Sequence, residues 1–303
     1  MTHMGNEKKA LNPDVLKAGL KYYIFDWDDN ILHMPTKIIL ERKTDDGRWE
    51  KHHVPTSTFA LIRNDTENYR PPDGDWEKAF VNFRDLQKLS ESEFIIDTKK
   101  ALQPVIDGSE KGAPSFYKLK KALIEGRIIG IVTARGHEPQ SIRSGVEYFI
   151  EHILSKEEKS TMLKNLRSYM HIFDDQGVSE SDEEVLNYYL SLNKYHGVTS
   201  PAFSELLGER TSGSENPEVA KQVAIKDFVD HVISLIRGRG VNKPVSIGFS
   251  DDDMGNVKAV EEYIELQLAK EFPHVKFVVY DTSDPEVPKG RKIILQGQLE
   301  LKL

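Results

Sequence analysis

The sequence predicts an α/β fold, a parallel sheet with helices on both faces. Four apolar runs of strand length carry that expectation: residues 22–26 (YYIFD), 128–133 (IIGIVT), 245–250 (VSIGFS) and 275–280 (VKFVVY). Near-continuous hydrophobic character is what a strand buried on both faces requires. Between these runs lie stretches with apolar residues at helical spacing. Strands alternating with helices imply βαβ units and parallel pairing.

Residues 22–26 open the series and end in acids, so the C-terminal end of this strand leads into a site. A long interruption follows, from about Met34 to Ala113. It begins with residues 37–54, where Asp46-Gly47 is a hairpin turn signal between two strand-like arms. It also contains Arg70-Pro71-Pro72-Asp73-Gly74-Asp75, a loop by composition. The helical pattern returns at residues 116–125 (FYKLKKALIE), with Gly126 as the C-cap. Residues 141–154, 218–236 and 256–271 read as helices in the same way. A second interruption, residues 156–216, mixes helical patterns with polar loops. Within it, His171-Ile172-Phe173-Asp174-Asp175 reads as a further sheet strand.

The chain of 303 residues, 38% hydrophobic and 30% charged, has the composition of a globular protein of about two domains, or of one domain with large insertions. It has no cysteine, which excludes disulfides, iron–sulfur clusters, thiolate zinc sites and cysteine nucleophiles. That absence agrees with a reducing cytoplasm, the expected location. Residues 1–13 are polar and lack the apolar segment of a secretory signal. No run approaches the ~18 apolar residues of a membrane span. A net charge of −8 disfavours a broad nucleic-acid footprint and leaves only a local basic patch to serve one. There is no HExxH, P-loop or dinucleotide fingerprint.

The chemistry concentrates at the ends of the apolar runs. Ile24-Phe25-Asp26-Trp27-Asp28-Asp29-Asn30 delivers two carboxylates two residues apart from the end of a strand. A solvated acidic turn accounts equally well for that stretch taken alone. The second run ends in Thr133-Ala134-Arg135, a hydroxyl followed by a small residue and a guanidinium. A hydroxyl at a strand end either donates to a phosphate oxygen or caps the next helix. The third run ends in Asp251-Asp252-Asp253, a costly local cluster unless a cation binds there. A lysine, Lys226 or Lys221, lies in the helix that precedes that strand.

In this order and on strand ends, the four features resemble those of the haloacid dehalogenase superfamily. The resemblance covers the four motifs and a Rossmann-like core, and leaves the two interruptions aside. It implies Asp26 as nucleophile, Asp28 as acid/base and Thr133 as the hydroxyl of the second motif. It takes Lys226 as the better match for the motif lysine, with Lys221 as the alternative. It sets Asp251 and Asp252 in the fourth motif, with Asp253 left open. Two departures stand out: Asn30 replaces the usual Thr or Val, and Gly255-Asn256 fall where a further acid is common. The implied catalytic set is Asp26, Asp28, Thr133 and Lys226. Thr133, Ala134 and Arg135 would bind substrate, and Asp26, Asp28, Asp251 and Asp252 would hold Mg²⁺.

The resemblance implies a core of residues 14–33 and 114–303, with an accessory insertion at about 156–216. Residues 34–113 become a cap over the site. The implied activity is phosphomonoester hydrolysis through an aspartyl-phosphate on a small phosphorylated metabolite. A phosphomonoester dianion repels an anionic nucleophile, so screening by a hard cation and a lysine is what a carboxylate needs to attack it. A nucleotide or polynucleotide-end phosphatase is the alternative substrate class. A non-catalytic phospho-ligand-binding protein is the alternative of another kind. A carboxylate at position 28 serves leaving-group protonation, which disfavours the dehalogenase branch.

Overall fold

The computed structural model describes residues 19–85, 91–173, 181–210, 217–237, 243–284, 286–287 and 290–295. In chain order its strands are β1 (Leu20–Phe25), β2 (Ile38–Lys43), β3 (Trp49–Val54), β4 (Tyr69–Arg70), β5 (Ile129–Thr133), β6 (Lys194–Gly197), β7 (Val245–Asp251), β8 (Val275–Asp281) and β9 (Arg291–Ile294). The helices that matter below are α1 (Thr56–Ile62), α2 (Trp76–Ala79), α3 (Glu93–Ile106), α4 (Phe116–Ile124), α5 (Pro139–Ile153), α6 (Lys156–Phe173), α7 (Asp182–Leu192), α8 (Pro201–Arg210), α9 (Pro217–Ile236) and α10 (Met254–Tyr263). No helix among the described residues is long and apolar enough to cross a membrane.

Six strands form one sheet in the order β6-β5-β1-β7-β8-β9. All neighbours are parallel except β9, which runs antiparallel to β8 at the edge. Alternation along β1 shows why both faces need cover. Leu20, Tyr22 and Ile24 enter one apolar core with α8, α9 and α10. Phe25, with Ile129 and Ile131 of β5, enters the other, with α3 to α7. After β6 the chain returns through α8 and α9 to place β7 on the far side of β1. The strand order therefore reverses at β1 and β7, and open α/β sheets bind ligands outside the carboxyl ends of strands at such a point.

Residues 38–83 form a second, smaller layer. The Asp46-Gly47 turn closes a hairpin of β2 and β3, and β4 pairs with the other edge of β2. Ile38, Leu40, Val54, Ala79 and Phe83 give this layer a core of its own. Helix α3 does not share it: Phe94, Ile95 and Leu102 pack into the main core. Residues 34–113 are thus a small sheet layer followed by a helix of the main sheet's flank.

Two sequence expectations change. The 156–216 stretch contains β6, which extends the main sheet by pairing with β5. Residues 171–173 belong to α6 and not to a strand, because the helix begun at Lys156 continues through them; Asp174 and Asp175 lie outside the described residues.

Close helix contacts fix the flank above β1. A Cβ on Gly145 of α5 would lie 2.5 Å from Phe94 Cε1 of α3, and Phe94 is fully buried. Gly145→Ala should therefore cost about 1–3 kcal/mol by overpacking, outweighing the ~1 kcal/mol that alanine gains in a helix. Gly208 of α8 faces open space, and Gly208→Ala should be neutral or stabilising. Urea titration should lower the midpoint for the first variant only, at unchanged slope.

Candidate active site

Three buried charges meet at the carboxyl ends of β1 and β7. Lys221 Nζ donates to Asp26 Oδ1 at 3.0 Å and to Asp251 Oδ2 at 2.8 Å. All three side chains are almost fully buried. Asp26 itself continues the ladder, its N–H donating to the Ser250 carbonyl at 2.9 Å. Asp251 Oδ1 accepts from the Asp253 N–H at 2.9 Å and from Asn256 Nδ2 at 3.3 Å.

One cation between two carboxylates leaves a net negative charge. Burial pushes the Asp26 carboxyl up; Lys221 opposes this, Asp251 and Asp28 add to it, and the result is about 8. Burial alone would lower the Lys221 ammonium, but Asp251 and Asp26 outweigh it and hold the lysine protonated. Burial and the neighbouring Asp251, Asp26 and Asp29 likewise raise Asp252 well above the carboxylate range.

Lys226, the lysine favoured by motif matching, lies elsewhere. It pairs with Asp230 at 2.5 Å and with Glu271 at 2.8 Å, and is partly exposed. Five residues along a helix turn the chain through ~140°, so Lys221 and Lys226 cannot share a face. The signal that separates them is helical phase. Lys221 sits in the buried stripe Lys221-Ile225-Phe228-Val232, whereas Lys226 and Asp230 form an ordinary i,i+4 surface pair.

Asp28 is held by Arg135. The guanidinium grips both carboxylate oxygens, Nε at 2.7 Å and Nη2 at 2.6 Å. Nη2 also donates to Thr36 Oγ1 at 2.7 Å, and Thr36 donates to Asp97 at 2.5 Å. The guanidinium carbon lies 4.6 Å from the Phe83 ring and 5.7 Å from that of Phe94. Arg135 is buried, so it reaches the site through Asp28 and not as an open anion receptor. Thr133 is buried at the end of β5, and its hydroxyl lies 3.4 Å from Asp28 Oδ2. It also accepts the Arg135 N–H at 3.3 Å. Ala134 is exposed.

Asn30, the departure from the motif, is fully buried. Its Nδ2 donates to the carbonyls of Asp26 and Ser250, both at 3.0 Å. Its Oδ1 accepts from Ser250 Oγ at 3.1 Å and from Thr282 Oγ1 at 2.9 Å. One amide thus pins the ends of β1 and β7 and the turn after β8, at the level of Asp26. The sequence offered no sign of the Ser250 and Thr282 roles, which depend on strand neighbours far apart in the chain.

The donor chemistry fits a hard divalent cation. Asp26, Asp251 and Asp252 are oxygen donors on adjoining strand ends, and Asp252 makes no hydrogen bond among the described residues. Among the described residues no group of three acidic or histidine side chains is placed to hold a metal ion, so the chain would supply one or two carboxylates at a time. Magnesium takes one or two carboxylates and fills its shell with water and substrate oxygens.

No protein-family model, curated protein or solved structure matches the chain.

The two lysines give a direct test of this geometry. Lys221→Met should destabilise by about 3–5 kcal/mol, because it strands two buried carboxylates. Lys226→Met should cost less than about 1 kcal/mol, as partly exposed ion pairs do. Equal losses in chemical unfolding would contradict the site described.

Proposed function

We propose that the protein is a Mg²⁺-dependent phosphohydrolase, acting in the cytoplasm on a small phosphomonoester through an aspartyl-phosphate at Asp26. The observation that carries this reading is Lys221, a buried ammonium touching both Asp26 and Asp251 where the strand order reverses. A structural ion pair needs one carboxylate. Two carboxyl groups around one lysine, with Asp252 and Asp28 beside them, can carry more negative charge than the one ammonium offsets once a cation holds them ionised. Such charge is costly and suits a site that takes up a cation. The small layer, residues 38–83, then acts as a cap.

When bound, Mg²⁺ would supply positive charge that screens the phosphoryl group from its anionic surroundings; Asp26 and Asp251 would hold it, with Asp252 beside them. Lys221 holds the Asp26 carboxylate in place and adds positive charge beside the attacked phosphorus. Asp26 attacks phosphorus through Oδ, and the P–O bond to the alcohol breaks. Asp28, having taken a proton from solvent on an oxygen that Arg135 releases, gives that proton to the departing oxygen. Water then attacks the aspartyl-phosphate, Asp28 takes the water's proton, and the bond from phosphorus to Asp26 breaks to release phosphate. One residue thus serves as acid and then as base. Arg135 fixes the side chain of Asp28, which releases one of its two contacts to carry the proton. The Thr133 hydroxyl, which donates weakly to Asp28 at 3.4 Å, would turn to a phosphoryl oxygen.

A polynucleotide end as substrate calls for a basic groove beside Asp26. The cations that touch Asp26 and Asp28, Lys221 and Arg135, are committed to those carboxylates. The overall charge of −8 points the same way.

A screen of phosphorylated metabolites with and without Mg²⁺ tests the proposal. Turnover should require the metal and fall by about 10⁴-fold or more in Asp26→Asn, in line with loss of a nucleophile. An Asp26→Asn variant of near wild-type activity would assign the attack to another group, and turnover independent of metal would remove Mg²⁺ from the scheme.

Metal binding is measurable without a substrate. A ligand that binds the folded state stabilises it by RT ln(1 + [L]/Kd), about 2.7 kcal/mol at a hundredfold excess over Kd. Mg²⁺ should raise Tm in the wild type and far less in Asp251→Asn. Equal, small shifts in both proteins would leave Asp251 a buried partner of Lys221 and not a metal ligand.

A further inference from the structure

Helix α1 of the small layer is tied at both ends to the loops that carry the acids. At its first turn Thr56 Oγ1 donates to Asp29 Oδ2 at 2.7 Å. At its C-cap Arg63 pairs with Asp253 at 3.5 Å. Thr56 and Arg63 are seven residues apart, about two turns, and so share one face. That face runs from the loop after β1 to the loop after β7, across the edge that holds Asp26 and Asp251.

The arginines of the layer differ in what they have left to give. Arg70 is committed to Glu41 at 2.7 Å and to the Trp49 ring at 4.2 Å. Arg84, just past the layer's last residue, pairs back onto Glu77 at 3.6 Å. Arg63 is about half exposed, and among the described residues its guanidinium makes no hydrogen bond, only the loose ion pair with Asp253. Asp253 does not depend on it, because Asp253 Oδ1 accepts the Gly255 and Asn256 N–H groups at the start of α10. Arg63 can therefore change partner without stranding a buried charge.

We propose that Arg63 selects substrates whose alcohol carries a second anionic group, a carboxylate or a further phosphate. The inference rests on the reading of Asp26 and its neighbours as a phosphoryl site. The phosphoryl group lies at Asp26, so the rest of the substrate projects toward the small layer. The Arg63 guanidinium, held only by the loose pair with Asp253, offers the forked donors that match a carboxylate or phosphate. An arginine is needed there, because a second negative charge entering beside Asp29 and Asp253 is otherwise repelled.

Calorimetry with non-hydrolysable phosphonates in Mg²⁺ tests this without turnover. Propylphosphonate, 3-phosphonopropionate and 1,3-propylenediphosphonate share one chain and differ only at its far end. The wild type should bind at least one of the two charged-tail compounds about tenfold or more tighter than propylphosphonate, the scale of a hydrogen bond to a charged group. The tighter of the two tells carboxylate from phosphate. Arg63→Gln should bring that ratio near one, and Arg63→Lys should keep part of it. Equal binding of all three by the wild type, or a ratio that survives Arg63→Gln, overturns the role of Arg63 and leaves the phosphoryl site standing. No binding of any of the three overturns the phosphoryl site itself, and the inference with it.

Discussion

The arrangement depends on one ammonium group. Lys221 reaches from α9 through the apolar layer beneath it to touch the ends of β1 and β7, strands that are neighbours only because the sheet reverses its order there. A lysine in a buried stripe is unfavourable unless anions meet it, and Asp26 and Asp251 do. The same contact fixes the height of α9 against the sheet, where Phe228 packs closely on Gly130; a Cβ at Gly130 would stand 2.9 Å from the Phe228 ring. Helix position, strand order and site charge are therefore one constraint seen from three sides.

Around that ion group a set of neutral side chains ties the strand ends together. Asn30 bonds to the backbone of Asp26 and Ser250, Ser250 exchanges a hydrogen bond with Ser115 at 2.6 Å, and the one Thr282 hydroxyl proton is shared between Asn30 Oδ1 and the Asp251 carbonyl, each at 2.9 Å. Four separate segments are thus tied at one level of the sheet. A site that gathers like charges needs such a rigid frame, because repulsion between its acids otherwise loosens the loops that carry them. Asp29 bears some of that load in its backbone: its φ of 51° is in the left-handed region, where its N–H donates to the Leu32 carbonyl at 2.8 Å and its side chain holds His33 and Thr56.

The strands buried on both faces were legible, because continuous apolar runs leave few other readings. The hairpin of β2 and β3 was legible from Asp46-Gly47, and the left-handed Gly126, with φ 66°, stands where α4 was expected to stop. Strand β6 was not. Its sequence KYHG has no apolar run, since it lies at the sheet edge and sets Lys194 and His196 against Asp227, each at 3.1 Å. Burial there comes from partners distant in sequence, which pattern reading does not see. The choice between Lys226 and Lys221 turned on spacing from a motif, whereas helical phase decides it: a lysine among Ile225, Phe228 and Val232 must have a buried partner.

The same reasoning assigns Arg135 a place that its sequence neighbours disguise. After Thr133, an arginine reads as an anion receptor facing solvent. Yet it is buried between two phenyl rings, grips Asp28 with both prongs, and touches Thr36 at the start of the small layer, while the Phe83 carbonyl at the layer's other end accepts the Gly136 N–H at 2.9 Å. The chain segments that enter and leave the small layer thus both meet at the residue that orients Asp28. A shift of the layer relative to the sheet has to pass through Thr36, Phe83 and Arg135, so the position of Asp28 and the seating of the layer are mechanically one variable. Helix α1 adds the second tie, through Asp29 and Asp253 on either side of Asp26. The layer is therefore held by polar contacts to the acid-bearing loops, with an apolar core of its own, and polar contacts are the kind that a charged ligand can exchange one for one.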